Sequence, residues 1–222
     1  MWVFAQMALA RPALRRDRRL LFWKLCGTGT GQGFTMRPNG RVWAILAVWP
    51  DAAVAQAGVA DHPVWRGWRQ RARESWTLFL APTASRGTWA GANPFQPDAG
   101  MVQTGPCAAL TRATLRPRHM LAFWRRVPAI SRRIGADANV AFKIGIGEMP
   151  LRNQVTFSVW PDLAAMAAFA RKDGPHADAI RAVREGNWFA EELYARFAVF
   201  DTAGTWGGVN PLAPLIAAKD AA

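Results

Sequence analysis

One structural unit is written twice in this 222-residue chain, and that duplication restricts the fold more than any other feature. Ala47-Val48-Trp49-Pro50-Asp51 returns as Ser158-Val159-Trp160-Pro161-Asp162. Gly87-Thr88-Trp89-Ala90-Gly91-Ala92-Asn93-Pro94 returns as Gly204-Thr205-Trp206-Gly207-Gly208-Val209-Asn210-Pro211. Phe22-Trp23-Lys24-Leu25-Cys26-Gly27 returns, more loosely, as Ala141-Phe142-Lys143-Ile144-Gly145-Ile146. The matches keep one order and nearly one offset, so the chain is read as a tandem duplication.

The second copy spells out the unit. Cys107 to Leu115 reads as a strand closed by Arg116-Pro117. Phe123, Val127, Ile130 and Ile134 follow a 4-3-4 spacing, one face of a helix, which Pro128 kinks or shortens. Val140 to Gly147 and Val155 to Trp160 read as a hairpin. Pro161-Asp162 opens a helix, with an acid near its positive N-terminal end. That helix runs to about Lys172, breaks at Asp173-Gly174-Pro175 and resumes from His176 to Arg184. Ala195 to Phe200 closes the unit as a strand. Strand, helix, strand, strand, helix, strand is the ferredoxin-like βαββαβ order. Two such units packed sheet to sheet would give an α+β fold, a pseudo-dimeric α/β barrel.

The first copy occupies residues 1–100, and the second residues 101–222 with a short C-terminal tail. Val3, Met7, Ala10 and Leu14 repeat the helix face, but only Met1 and Trp2 precede them. The leading strand of the first copy is therefore expected to be missing, through a late start of the sequence, because an exposed sheet edge is otherwise a liability.

Half of the chain is apolar, enough for a substantial core, and 19% is charged, which argues against disorder. The longest uninterrupted apolar stretch, Val42 to Trp49, is too short to cross a bilayer, and no signal-peptide pattern opens the chain. A cytoplasmic protein is expected. The net charge of +13 is nearly all arginine and favours anionic partners. The basic runs Arg15-Arg16-Asp17-Arg18-Arg19 and Arg69 to Arg73 could guide the protein to an anionic membrane surface, although ordinary solvated faces account for the charge equally well. No basic helix with heptads, Cys/His finger or RNP motif is present, so nucleic acid is not expected as a partner. Cys26 and Cys107 make neither a CxxC pair nor a zinc spacing and read as reduced and buried, with a thiolate haem ligand as the lesser alternative.

Several motifs resemble the spheroidene monooxygenase family. They are the glycine-rich run Phe22-Trp23-Lys24-Leu25-Cys26-Gly27-Thr28-Gly29-Thr30-Gly31, then Thr111 to His119, Phe142-Lys143-Ile144-Gly145-Ile146-Gly147-Glu148, Asp173-Gly174-Pro175-His176-Ala177, and Trp188-Phe189 followed by Glu191-Glu192-Leu193-Tyr194. The resemblance spans essentially the whole chain and departs at the N-terminus, where members carry an extra strand. It implies a haem-containing, iron-dependent oxidoreductase of carotenoid biosynthesis. Such an enzyme introduces a keto group at C2 of acyclic carotenoids, as in spheroidene to spheroidenone, with O2 and reduced ferredoxin as co-substrates. It also implies the dimeric α/β-barrel fold, with an association at the inner or photosynthetic membrane as a further expectation. Two other readings stay open: a cofactor-free barrel module holding a hydrophobic ligand, and a haem dehydratase or peroxidase on the same fold.

The residues themselves hold no non-haem iron triad, since His62, His119 and His176 lie far apart. The glycines at 27, 29, 31 and 33 are followed by no helix of the dinucleotide pattern and read as a flexible hairpin. The resemblance makes His176 the expected haem and metal ligand, since small haem-degrading relatives carry their proximal histidine on the corresponding helix. His62, its counterpart in Asp61-His62-Pro63, is either a second ligand or a helix cap, and His119 a capping or surface residue. Lys24 and Lys143 are taken as matched strand positions, serving either a haem propionate or the protection of a sheet edge. Arg171, Arg181 and Arg184 flank His176 and could also meet propionates. Trp124, Trp160 and Trp188 suit either a polyene tunnel or the core.

Overall fold

The computed structural model describes residues 2–31, 33, 35–97, 103–125, 139–149, 151–171 and 186–215. Helices α1 (Trp2–Leu9) and α2 (Arg11–Arg16) open the chain, followed by strands β1 (Phe22–Gly29) and β2 (Pro38–Val48). Helices α3 (Ala52–Asp61) and α4 (Pro63–Arg71) lead to β3 (Trp76–Gly87). The second half runs β4 (Cys107–Leu115), a 3-10 turn at Pro117–His119, helical residues 120–125, β5 (Phe142–Gly147), β6 (Asn153–Trp160), α5 (Leu163–Arg171) and β7 (Phe189–Gly204).

All seven strands form one antiparallel sheet in the order β2-β1-β5-β6-β4-β7-β3. Within the second half the order β5-β6-β4-β7 is that of a ferredoxin-like unit. The halves join edge to edge, β1 on β5 and β7 on β3, rather than as two stacked sheets as the sequence suggested. Edge pairing satisfies backbone groups that stacked sheets would leave bare. Inner residues from both ends of the sheet, Val42, Leu46 and Val48 of β2 and Trp76, Leu78 and Leu80 of β3, pack on one core, so the sheet curls into a barrel-like α+β structure. Between β2 and β3, the position that β4 holds in the second half, lies no described strand. The edge strand β3 accommodates Pro82 at a register shift, where the missing N–H costs no ladder bond. The boundary expected at residues 100 and 101 lies outside the described residues.

Three details differ from the sequence reading. The N-terminal helix is broken, because Pro12 removes a donor and its ring opposes the carbonyl one turn back. Strand β7 spans sixteen residues, not six, because it pairs along its length with both β4 and β3. The third concerns register. Phe22 faces Val48 and Phe142 faces Val159. With Val48-Trp49-Pro50-Asp51 matched to Val159-Trp160-Pro161-Asp162, Phe22 is the counterpart of Phe142, Trp23 of Lys143 and Lys24 of Ile144. The sequence match was one residue out, and one residue moves a side chain to the opposite face. Lys24 faces inward with Phe22 and Cys26, while Lys143 faces the helix-bearing side beside Ser158.

The helix-bearing faces of the two halves also differ. In the first half Leu25, Trp23, Ile45, Ala47 and Trp49 pack under Leu14, Val64 and Trp65. In the second, Cys107 and Trp160 pack under Phe169 of α5. Trp124 and Trp188 are also buried. Burial pushes the Cys107 thiol up to about 11 and raises that of Cys26 further, with Glu148 adding to the effect there and Lys24 opposing it. Neither environment favours a thiolate. Both cysteines are expected to react with a thiol reagent only after denaturant is added; labelling of the native protein at neutral pH would contradict their burial.

Candidate functional site

The inward-facing charges gather at one end of the barrel, around Trp89. This indole is fully enclosed and packs edge-on against Phe22, with ring centroids 5.5 Å apart. Its loop follows β3 through Gly87, whose φ of +90° turns the chain across the barrel end. The Trp89 N–H bonds to Ala92 O at 2.7 Å. Two cations lie over the ring, Lys24 at 5.9 Å and Arg112 at 5.6 Å from its centroid. The indole N–H donates to Glu148, whose other oxygen is 2.9 Å from Lys24 Nζ. Arg112 pairs through Nη1 with Glu191. The Glu191 carboxylate also accepts the Gly91 N–H at 2.8 Å and so ties the Trp89 loop to β4.

Arg112 is 4% exposed and stands opposite Val155 of β6 and Leu193 of β7, both apolar and buried. Its Nε–H is buried and has no acceptor among the described residues. A stranded donor of this kind costs about 1–3 kcal/mol. Burial pushes the Glu191 carboxyl up, but the Gly91 N–H, Arg112 and Thr88 outweigh it and hold the group below its ordinary range. A pocket of about 180 Å³ lies against the Lys24–Glu148 pair, lined also by Arg11, Trp23 and Leu25. The arrangement is an apolar interior with one unspent hydrogen-bond donor at its end.

The other end of the barrel has a counterpart without the charges. Trp206 packs on Phe142 at 5.2 Å as Trp89 does on Phe22, and its N–H bonds to Val209 O. Glu74 accepts from Gly207 N, Gly208 N and Thr205 Oγ1, which holds its carboxyl below the ordinary range. Trp206 nevertheless remains 40% exposed, next to the position between β2 and β3 where no strand is described.

The residues singled out from the sequence do not form one cluster. Lys24 belongs to the inner site. Lys143 is buried on the opposite face, where burial lowers its pKa, and Arg171 is exposed at the end of α5 on that same side. His176, Arg181 and Arg184 lie outside the described residues. His62 is a helix cap: its Nδ1 accepts the Val64 N–H at 3.1 Å and its ring packs edge-on against Trp65. Burial lowers its pKa, opposed by Asp17 at 3.8 Å. His119 stacks on Trp188 and accepts from Arg118. Arg112, Glu148, Glu191 and Trp89 were not anticipated as a site. Two signals were present: an arginine within the otherwise uncharged strand Cys107–Leu115, and an acid thirteen residues before each Gly-Thr-Trp, at Glu74 and Glu191.

His62 provides a pH test. Its folded pKa lies below the ordinary 6.5, so the fold favours the neutral ring. The contribution is complete above pH 6.5 and is lost as pH falls below it. The unfolding temperature should drop on acidification through that range. His62→Asn, which keeps a capping acceptor, should remove this part of the dependence.

No family model matches the chain. A spheroidene monooxygenase of Rhodobacter capsulatus is 53% identical over 100% of this chain and 92% of its own length. That of Cereibacter sphaeroides is 48% identical over 99% of this chain and 68% of its own. That of Rubrivivax gelatinosus is 34% identical over 90% and 75%. Among solved structures, a protein of Fusobacterium nucleatum assigned provisionally as a monooxygenase superposes with a TM-score of 0.44 at 9% identity, covering 92% of this chain and 88% of that one. An anthrone oxidase-like protein gives 0.36 at 10%, covering 90% and 86%.

Proposed function

Because the chain belongs to the spheroidene monooxygenase family, we propose that it is a haem-dependent monooxygenase that converts the C2 methylene of an acyclic carotenoid to a ketone. The reaction is of the spheroidene to spheroidenone type, with O2 and a reduced ferredoxin-type donor as co-substrates. The observation that carries this reading is the 53% identity over the whole chain.

A haem needs an axial ligand and cationic partners for its propionates. His62 is committed to capping α4, and the buried thiols resist ionisation. His176 is the ligand we propose, as the family resemblance implies. Arg171 precedes it by five residues, and Lys143 lies on the side of the sheet that carries α5, so these two would serve the propionates. Lys24 faces the opposite side and is already paired with Glu148, so it is not proposed as a propionate partner. His176, Arg171 and Lys143 are the residues that would hold the group. When bound, it would supply the activation of O2 for insertion into an unactivated C–H bond, which side chains cannot perform.

Each hydroxylation consumes one O2, two electrons and two protons. One oxygen atom enters the C–H bond and the other leaves as water. Two rounds give a geminal diol, and loss of water gives the ketone. The chain's own part is to hold the polyene end beside the haem and exclude water.

Expression in a cell that accumulates spheroidene, followed by pigment analysis, tests the activity: a ketone should appear, and unchanged pigment would refute it. Protein made with haem present should show a Soret band that His176→Ala abolishes. A band that survives His176→Ala unchanged would remove that ligand, and no band at all would refute the haem.

A further inference from the structure

Helix α1, Trp-Val-Phe-Ala-Gln-Met-Ala-Leu, has no charged residue on any side. Met7, with Ala10 and Leu14 beyond the helix end, packs inward against Trp65 and Trp68. The opposite face carries Phe4, Ala5, Ala8 and Leu9, spaced to form one stripe, and all four are exposed, Phe4 at 55% and Leu9 at 67%. A helix apolar all round is normally enclosed, by protein or by lipid. The outward stripe continues directly into Arg11, Arg15 and Arg16 of α2, also exposed. Arg18, Arg66, Arg69, Arg71 and Arg73 are exposed nearby on the following loop and on α4, and Leu21 beside them is 63% exposed.

The charge on this part of the chain is one-sided. Residues 1–73 hold twelve lysines and arginines against three aspartates. Asp17 and Asp61 are both occupied by Arg19, and Asp51 caps α3. Burial of the other face fixes the stripe's orientation: Trp2 meets Trp68 at 6.5 Å and the Arg71 guanidinium lies 4.9 Å from the Trp2 ring. Among the described residues no helix is long and apolar enough to cross a membrane.

We propose that α1 and α2, with the arginines of α4, form a docking surface for the face of an anionic phospholipid bilayer. Phe4, Leu9 and Leu21 enter the boundary of the acyl chains, and the arginines that ring them sit at headgroup phosphates. An acidic protein would be served by the arginines alone; the large apolar side chains projecting among them favour lipid. This surface lies on the helix-bearing side of the first half, and Arg11 at its edge also lines the pocket beside Lys24 and Glu148. It rests on neither haem nor carotenoid.

The test is co-sedimentation of the full chain with sucrose-loaded vesicles of phosphatidylcholine alone or mixed with phosphatidylglycerol. Binding should be at least about tenfold stronger to the mixed vesicles and should weaken as salt is raised. Phe4→Ser with Leu9→Ser should reduce binding by about tenfold or more; Phe4 also packs edge-on against Trp43 at 4.9 Å, so Leu9→Ser alone, at a residue 67% exposed, is the variant expected to weaken binding at an unchanged unfolding temperature. Arg15→Ala with Arg16→Ala should weaken binding to mixed vesicles and leave weak binding to neutral ones unaltered. Equal binding of wild type and the Phe4/Leu9 variant would overturn the proposal. So would a wild-type dimer, seen by sedimentation velocity, that the same variant converts to monomer, because the stripe would then be a contact between copies.

Discussion

Glu191→Ala is expected to destabilise the protein by about 3–5 kcal/mol, the cost of stranding one member of a buried ion pair. Arg112 would lose the carboxylate that faces it, at 4% exposure and with its Nε already unpartnered. The Gly91 N–H would lose its acceptor too, which frees the loop carrying Trp89. Urea denaturation measures the loss, and the near-ultraviolet circular dichroism of the tryptophans should change with it. Arg112→Met combined with Glu191→Gln should recover most of the stability, because the buried charge goes while an acceptor for Gly91 remains. The Glu191 carboxyl is held below its ordinary 4.5, so its contribution is complete above pH 4.5 and fades as pH falls below it. Glu191→Ala should therefore lose less stability than wild type in that acid range. A cost below about 1 kcal/mol would mean that water screens the pair.

Gly87→Ala and Gly204→Ala should each cost roughly 3 kcal/mol or more. Their φ values are +90° and +86°, and an added Cβ would sit 2.2 Å from Glu192 O and 2.0 Å from Ser75 O. Neither carbonyl can yield easily, since each accepts the next N–H of the loop it faces, Thr88 at 2.8 Å and Thr205 at 3.0 Å. Gly91→Ala is the control. It shares a positive φ, +85°, but meets nothing within 4 Å, so it should cost only the strain of the left-handed backbone, about 1–2 kcal/mol. Thermal unfolding of the three variants separates the two effects. Equal losses for Gly87→Ala and Gly91→Ala would mean that backbone strain alone accounts for both.

Much of the architecture could be read locally. Apolar patterning and bounding Gly and Pro located β4, β5, β6 and α5. These signals are local because backbone preference and turn chemistry act over a few residues. The first helix was read as continuous because its apolar stripe does run from Val3 to Leu14; Pro12 breaks the hydrogen bonding but not the stripe. The possibility that His62 caps a helix was also legible, from Asp-His-Pro before an amphipathic segment.

The charged site was not legible in this way. Arg112 and Glu191 are 79 residues apart and Trp89 and Glu148 are 59 apart; only the edge-to-edge closing of the sheet brings them together. The tertiary structure also separated Lys24 from Lys143. Side chains alternate with period two, so which face a lysine takes depends on a register set by its cross-strand partners, not by its own neighbours. The sequence by itself located most strands of the second half and pointed to the family. The meeting of distant charges, the contrast between enclosed Trp89 and exposed Trp206, and the outward apolar stripe of α1 were decided by packing, because burial is a property of the assembled barrel and not of any single segment.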